Sequence, residues 1–487
     1  MQMISRLTGG FGLSQLSHID DLLRHHSVAQ PSKPAVIFGD SQLSYSRLET
    51  LVEAGAVTLS SRLGNSRQKV VGLLMPNSLD YVVAYLSIVR SGHIALPIDV
   101  IYKPLELEAI AGQMKPELIL TDLNGKKRLE ALSFPVLTAD QLAAPSSGET
   151  KFLRLPADRQ IASLLFTSGT TGQPKAAPYT HANHLWNIKV CSQVWDWTAA
   201  DSLLISLRLS HWYGLVMGLS GALYHGNTLY LQDKFDAVST LEELASGRIS
   251  HFTHTPYAYA KMLERPGEFD ISAVRLLISG SAPLPPSIWD GFKKRFGKEI
   301  IECYGSSETG RIVANTVDDR QPGSAGLVLP EVDLKINPHG EVLVKSPGVF
   351  PGYWKNASAT KAAMGPGGWW RTGDLGELNG QRLYLRGRRH ETIRRYGYMI
   401  SPRDIEWAMH QCTEVDEIHV LGRSVPNSPD DELIYFVVPK GRQTQIHDFY
   451  QANLPSVWRP DEVIFLDQLP RTHNGKVSIA TLKAMLK

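Results

Sequence analysis

The segment Leu164-Leu165-Phe166-Thr167-Ser168-Gly169-Thr170-Thr171-Gly172-Gln173-Pro174-Lys175 carries an apolar run into hydroxyls and glycines and closes on a lysine. Glycines let backbone N–H groups approach an anion, hydroxyls add donors, and the lysine adds charge. That chemistry suits a phosphate. The string lacks the GxxxxGK[ST] order of a P-loop, and by composition alone it also suits an ordinary Gly/Thr turn. His181 with His184, and His251 with His254, have the i, i+3 spacing of metal ligands. Neither pair carries the glutamate of HExxH or a nearby acidic third ligand, so no metal is expected there. Arg388-Arg389-His390 and Arg394-Arg395 form a basic patch without interleaved aromatics suited to nucleic acid. Phosphate contact or a solvated face is the better reading.

The elements that must position these residues follow a βαβ grammar. Leu48, Leu51, Val52, Ala56, Leu59 and Leu63 recur at near-helical spacing, and Ser46 with Glu49 fits a capping box at the start of that helix. Residues 70–75 form a continuous apolar run, as expected of a strand covered on both faces. A helix over 78–90 stopped by Gly92, a strand over 94–98, a helix over 105–114 and a strand over 118–120 follow. The expected core is a mainly parallel sheet between helices. The grammar resumes after a loop around 143–151 and changes over 323–386 to short strands with turn signals, a small β subdomain. The last hundred residues carry a separate αβ pattern.

The chain has 487 residues, 43 % of them hydrophobic and 20 % charged, which excludes wholesale disorder and suggests two to four core-bearing units. Fifty Lys plus Arg against 48 Asp plus Glu leave a net charge of +2, which gives no general footprint for nucleic acid or an acidic membrane. No apolar run reaches membrane-helix length; the longest candidate, residues 213–224, is broken by glycines. The N-terminus lacks the apolar core of a signal peptide. Cys191, Cys303 and Cys412 are far apart and odd in number, so neither a disulfide framework nor a CxxC metal site is expected, and the cytoplasm is the expected location.

The phosphate-suited string resembles the phosphate loop of adenylate-forming enzymes: acyl- and aryl-CoA ligases, luciferases and peptide-synthetase adenylation domains. Five further segments match that family in order. Ser279-Gly280-Ser281-Ala282-Pro283-Leu284 looks like its adenine-side loop. Tyr304-Gly305-Ser306-Ser307-Glu308-Thr309 resembles YGxTE, with Ser307 where threonine is usual. Trp370-Arg371-Thr372-Gly373-Asp374 resembles the TGD motif, and Gly387-Arg388 with Gly397 and Pro402 resembles the start of the C-terminal domain. Pro470-Arg471-Thr472-His473-Asn474-Gly475-Lys476 resembles the terminal catalytic-lysine motif. The resemblance spans about residues 20–487.

It implies an α/β fold: a large N-terminal domain over 1–386 that binds ATP and acid, a hinge at 387–390, and a small mobile α+β domain over 391–487. It also implies roles residue by residue. Thr167, Ser168, Gly169, Thr170, Thr171, Gly172 and Lys175 would hold the β- and γ-phosphates. Gly280, Ser281, Ala282 and Pro283 would flank adenine, on which Tyr304 would stack beside Gly305, Ser306 and Ser307. Glu308 would ligate Mg²⁺, a hard cation that prefers oxygen ligands. Asp374 would accept both ribose hydroxyls, and Arg388 would reach ribose or phosphate. Lys476 would bridge the attacking carboxylate and the α-phosphate. His211, Trp212 and Tyr213, with Gly280 and Gly305, would line the acid pocket. Arg208 and Ser210 depart from the proline and phenylalanine common there, and Arg208 is expected on the surface or the phosphate side.

The resemblance further implies ATP-dependent formation of an acyl-adenylate from a small carboxylic acid, with release of pyrophosphate. Domain rotation would then bring the hairpin of Gly397 to the thiol tunnel. An α-amino acid is disfavoured, because His211-Trp212-Tyr213-Gly214 has no aspartate; an apolar or aryl acid fits. Coenzyme A is the expected acceptor, with a carrier-protein pantetheine or an amine as alternatives. A degenerate adenylate-binding protein is the non-enzymatic alternative, opposed by the presence of Lys175, Glu308, Asp374 and Lys476 together. The hinge position falls on His390 where aspartate or lysine is usual. Its titration near pH 6.5 would make the conformational balance pH-dependent; otherwise it merely tolerates the hinge torsions.

Overall fold

The computed structural model describes residues 16–64, 67–130, 134–142, 152–167, 175–396, 398–425, 428, 430–472 and 475–486, with the side chains of Thr167, His390 and Met399 left out. Two sheets organise the N-terminal region. The smaller runs Val136–Thr138, Leu118–Thr121, Val70–Leu74, Ile94–Pro97, Ile161–Thr167, Lys175–Thr180, parallel except for the last pair. Val70–Leu74 is buried along its whole length, as its unbroken apolar sequence requires.

The larger sheet has a parallel half made of Pro34–Phe38, Thr228–Leu231, Ser202–Ile205, His251–His254, Leu276–Ser279 and Ile301–Ser306. Ile301–Ser306 then pairs antiparallel with Gly310–Ala314, and the sheet continues antiparallel through Gly326–Val328, Arg382–Arg388, Trp370–Asn379, Glu341–Lys345 and Asp333–Ile336. The turn-rich strands of 323–386 therefore extend the same sheet.

The C-terminal region has its own three-stranded sheet, Val415–Ser424, Asp431–Pro439 and Glu462–Phe465, covered by helices Pro402–Met409, Gln443–Asn453 and Ile479–Met485. It encloses a separate apolar cluster around Ile405, Val420, Tyr435 and Ile446.

Most expected elements lie where the periodicity places them, including Leu79–Arg90 capped by Ser78, with Gly92 at φ +77° ending the turn. The capping box does not. Helix Tyr45–Leu63 starts earlier, and the Ser44 hydroxyl, not Ser46, accepts from the Arg47 N–H at 3.2 Å. Glu49 is drawn instead to the buried Arg90, whose Nη1 and Nη2 donate to it at 2.6 and 2.8 Å. A buried guanidinium needs a carboxylate far more than a helix end needs a second cap.

The apolar run after His211 folds as a π-helix, Tyr213–Ser220, followed by Gly221–His225. A Cβ on Gly214 would stand 2.5 Å from the Arg208 carbonyl oxygen, so glycine is required for this close turn. Such widened turns recur at functional sites.

Candidate active site

The residues singled out by sequence collect beyond the carboxyl ends of the parallel strands, where α/β sheets place their ligands. Strands Ile161–Thr167 and Lys175–Thr180 pair antiparallel with Thr167 opposite Lys175. Ser168, Gly169, Thr170, Thr171 and Gly172 lie outside the described residues. Lys175 Nζ stands 5.1 Å from the ring centroid of Tyr353. The Tyr353 hydroxyl donates to Glu308 Oε1 at 3.0 Å, and its ring packs against Phe350 and Trp370. Tyr353 thus ties Lys175 to Glu308. Sequence reasoning missed it; a tyrosine in a Gly/Pro-rich turn carries no signal of its own.

Glu308 sits in the hairpin between Ile301–Ser306 and Gly310–Ala314. Ser306 N donates to Thr309 Oγ1 at 3.0 Å and Glu308 N to Ser306 Oγ at 3.2 Å. Gly305 is needed here, since a Cβ would meet the Gly310 carbonyl oxygen at 2.0 Å. On the adenine side, Ser281 adopts φ +69°, a conformation that costs a non-glycine residue energy and is typical of binding loops. Gly280 is buried, Ala282 is half-buried, and Ser281, Pro283 and their loop face outward.

Asp374 is 5 % exposed and opposite Arg388 in the sheet register. Its Oδ2 accepts from the Tyr304 hydroxyl at 2.5 Å and its Oδ1 lies 3.0 Å from Arg388 Nε. A carboxylate has about four acceptor sites, so two remain open on Asp374 to further donors. Tyr304, expected as an adenine platform, is thereby also the residue that aims Asp374.

Lys476 reaches this cluster from the C-terminal region. Arg471 Nη1 donates to the Gly475 carbonyl at 2.8 Å, and Thr472 N donates to the Lys476 carbonyl at 2.7 Å, which closes a tight loop. The loop leans on the N-terminal region: the Arg471 guanidinium lies 5.0 Å from the Tyr257 ring centroid, and Trp407 packs on Gly323. The Lys476 side chain exposes surface to the cleft, yet its ammonium is crowded by protein. Loss of hydration first, then repulsion from Arg388, pulls its pKa below the ordinary lysine value, opposed by Asp374 and Glu308. Those three charged groups act on the ammonium through space.

His211, expected to line the acid pocket, meets a buried carboxylate that the sequence reading overlooked. Asp99 Oδ2 lies 3.0 Å from His211 Nε2 and accepts from Ser210 Oγ at 3.3 Å, while Arg208 Nε stands 3.6 Å from Oδ1. Burial pushes the Asp99 carboxyl up, but His211 and Arg208 outweigh it and hold the group below the usual range. Arg208 is therefore paired beside the pocket rather than on open surface. The signal that could have found Asp99 is its place just after the apolar strand Ile94–Pro97, at a carboxyl end. Arg311 was missed as well; a charged residue inside the apolar strand Gly310–Ala314 was its signal.

Other residues singled out by sequence are placed as follows. His184, His251 and His254 are buried, each with its pKa pushed down to about 3 by desolvation, and no group of three metal-ligating side chains occurs among the described residues. The basic patch is paired with acids: Arg388 with Asp374, Arg389 with Glu341, Arg394 with Asp431, Arg395 with Asp461. The three cysteines are buried and free. No helix among the described residues is long and apolar enough to cross a membrane. Gly397 and the His390 side chain lie outside the described residues; the His390 backbone belongs to a short turn, Arg389–Glu391, after Gly387 at φ +129°.

Comparison with known proteins bears on this arrangement as a whole. The AMP-binding enzyme family matches residues 23–354, and the AMP-binding enzyme C-terminal domain matches residues 404–476. The chain is 28 % identical to an indoleacetate–CoA ligase of Aromatoleum aromaticum and 28 % identical to an oxalate–CoA ligase of Arabidopsis thaliana, in each case over 94 % of this chain and 96 % of the relative. The ATP-bound structure of MatB from Rhodopseudomonas palustris, 27 % identical, superposes with a TM-score of 0.90 over 97 % of this chain and 99 % of its own. Because both parts of the family match in order and the first alone spans well over half the chain, this protein belongs to the AMP-binding enzyme family and is an ATP-dependent, AMP-forming ligase.

Proposed function

We propose that the protein activates a small carboxylic acid as its acyl-adenylate, with release of pyrophosphate, and passes the acyl group to coenzyme A. The observation that carries this reading is the Tyr304–Asp374–Arg388 cluster, with Lys476 near enough for Arg388, Asp374 and Glu308 to act on its ammonium through space. A cation there opposes the negative charge that shifts between the acid, the α-phosphate and the leaving group, and it is already oriented before reaction. Asp374, aimed by Tyr304 and Arg388, holds the ribose. Lys175 and the hydroxyl- and glycine-rich loop before it hold the leaving phosphates.

Magnesium fits at Glu308. Tyr353 engages Oε1 and leaves Oε2 for a cation, and Mg²⁺ is ordinarily bound by one or two carboxylates with substrate phosphates completing its shell. Bound there, the ion supplies charge neutralisation to the phosphates. His211, fixed by Asp99, forms one wall of the acid pocket with Trp212 and Tyr213, and excludes water from the new mixed anhydride.

The second step needs Lys476 to withdraw, so that a thiol enters where the C-terminal loop now leans on Tyr257. Gly397 on the C-terminal domain is the residue we assign to that second arrangement, with 387–390 as the hinge. The relatives' names point to coenzyme A as acceptor, and three buried free thiols suit a reducing compartment such as the cytoplasm. Acid-dependent exchange of pyrophosphate into ATP tests the first half-reaction. Product mass spectrometry with coenzyme A, a pantetheinylated carrier protein and amines tests the second. A carrier-bound or amide product in place of an acyl-CoA overturns the acceptor, and no exchange with any acid overturns the adenylation itself.

A further inference from the structure

The turn over residues 350–354 is fastened at both ends to the loops that carry Glu308 and Lys175. Phe350 N donates to the Glu308 carbonyl at 2.9 Å, and Trp354 N donates to the carbonyl of Ala176, the neighbour of Lys175, also at 2.9 Å. Between these two bonds stands Tyr353, whose own N–H donates to Thr360 Oγ1 at 3.0 Å. Its ring packs edge-on against Phe350 and Trp370, with centroids 5.0 and 5.8 Å away. Backbone and ring are both held, so the phenol cannot follow its neighbours when they move.

Two opposite charges meet this one side chain. The Tyr353 hydroxyl donates to Glu308 Oε1 at 3.0 Å, and Lys175 Nζ stands over the ring face, 5.1 Å from its centroid. No ion pair joins Lys175 to Glu308 or to any other carboxylate among the described residues, and both side chains are half-buried. A lysine and a glutamate left free in one cleft attract each other, the more so where water is partly excluded. Their collapse would spend the ammonium and the carboxylate on one another. The phenol gives each an alternative. A ring face attracts an ammonium without neutralising it, and a single O–H donor leaves the second carboxylate oxygen unshared.

We propose that Tyr353 is a positioning residue that holds Lys175 and Glu308 apart, keeping the one for phosphate and the other for a divalent cation. The inference rests on the assignment above of Glu308 to Mg²⁺ and of Lys175 to the leaving phosphates. Groups that hydrogen-bond a metal ligand fix its orientation, and their loss weakens metal binding by about 10- to 100-fold. The Tyr353 hydroxyl fills that place for Glu308, and its ring face is the spacer toward Lys175. The two functions sit on different parts of one side chain, so substitution separates them. Phenylalanine removes the hydroxyl alone; leucine removes the hydroxyl and the ring face together.

The test reads binding, not turnover. Titration calorimetry without any acid substrate gives the ATP dissociation constant in EDTA and in Mg²⁺, and the ratio of the two reports how strongly the bound cation supports the nucleotide. Tyr353→Phe should lower that ratio by about 10-fold while leaving metal-free ATP binding unchanged. Tyr353→Leu should lower the ratio as well and also weaken metal-free binding by about 3- to 5-fold, the scale of a solvent-screened ion pair, because Lys175 then turns to Glu308. Adding Glu308→Gln to Tyr353→Leu should restore metal-free binding, since an amide does not hold the lysine by charge. A metal-free loss that persists in this double variant is the mark of a merely structural tyrosine and overturns the proposal, as does a Tyr353→Leu variant with no such loss. Where the Leu form does not fold, as thermal denaturation would show, Tyr353→Phe decides, because it keeps the packed ring; an unchanged ratio there refutes the proposal. Glu308→Gln alone distinguishes the underlying reading. If it leaves the ratio intact, the metal assignment fails and this inference with it; if it lowers the ratio while Tyr353→Phe does not, only the role of Tyr353 is wrong.

Discussion

Removing the Asp374 carboxylate separates its structural role from its role toward nucleotide. In Asp374→Ala the buried Tyr304 hydroxyl loses an acceptor at 2.5 Å, and Arg388 loses a partner at 3.0 Å. An orphaned buried hydroxyl costs about 1–3 kcal/mol. The Arg388 side chain is 48 % exposed, so its share is screened to at most about 1 kcal/mol. A ribose that can no longer donate to a carboxylate forfeits about 1.5–3 kcal/mol, or roughly 10- to 100-fold in affinity. Because ground state and adenylate both carry the ribose, the loss should appear in KM and in ATP binding more than in kcat. Asp374→Asn divides the two effects. Its amide can still meet Tyr304 and Arg388, but its single carbonyl oxygen has about half the acceptor capacity. Stability should therefore recover in the Asn variant, while ATP affinity stays well below that of the parent. Titration calorimetry with ATP and thermal denaturation of parent, Ala and Asn forms read both quantities. An Ala variant that melts lower yet binds ATP like the parent would show that Asp374 is a structural carboxylate only, and the ribose assignment would be wrong.

Lys476→Ala should lower acid-dependent pyrophosphate exchange by about 10²–10³-fold and spare acyl transfer from a supplied adenylate; parity with the parent in exchange would refute its role. Since the charged ammonium is the active form and its pKa is depressed by burial and Arg388, exchange should fall as pH rises through a value below the usual lysine range, and Lys476→Arg should push that alkaline limb upward. Glu302 is buried with its carboxyl raised from 4.5 to about 7 by desolvation, against the opposing charge of Arg403. A raised carboxyl favours folding below pH 4.5 and loses that contribution as pH climbs to about 7, on the order of 3 kcal/mol. Glu302→Gln, which keeps an acceptor for Leu284 N, should flatten the pH dependence of the denaturation midpoint over that window; an unchanged slope would refute it. His390→Pro should fix φ near −65° and leave one half-reaction working while the other falls steeply, and a variant competent in both places the hinge elsewhere.

Much of the chemistry was legible because it is local. The phosphate-loop string, the YGSSE segment, Asp374 after its tight turn and the Gly475-Lys476 pair are short stretches whose glycines and polar groups must be adjacent in the chain to do their work. The parallel-strand core was legible for a similar reason: runs such as 70–75 bury both faces and show no alternation. Where a local signal met a long-range demand, the local reading failed. Ser46 and Glu49 have the spacing of a capping box, yet Glu49 answers to Arg90, forty-one positions away.

The sequence alone thus determined which chemistry this protein carries, since motif order and residue type survive any arrangement of the elements. Tertiary structure decided what surrounds that chemistry. Asp99 comes to His211 across 112 positions, Tyr353 to Glu308 across 45, and Arg311 to Trp212 and Tyr213 across about a hundred. Each meeting joins elements distant in the chain: Asp99 follows a strand of the smaller sheet and His211 a strand of the larger, and Arg311 lies on a strand while Tyr213 opens a helix. A carboxylate or guanidinium has meaning in such a place only through what surrounds it, because burial removes the water that would otherwise make all such groups alike.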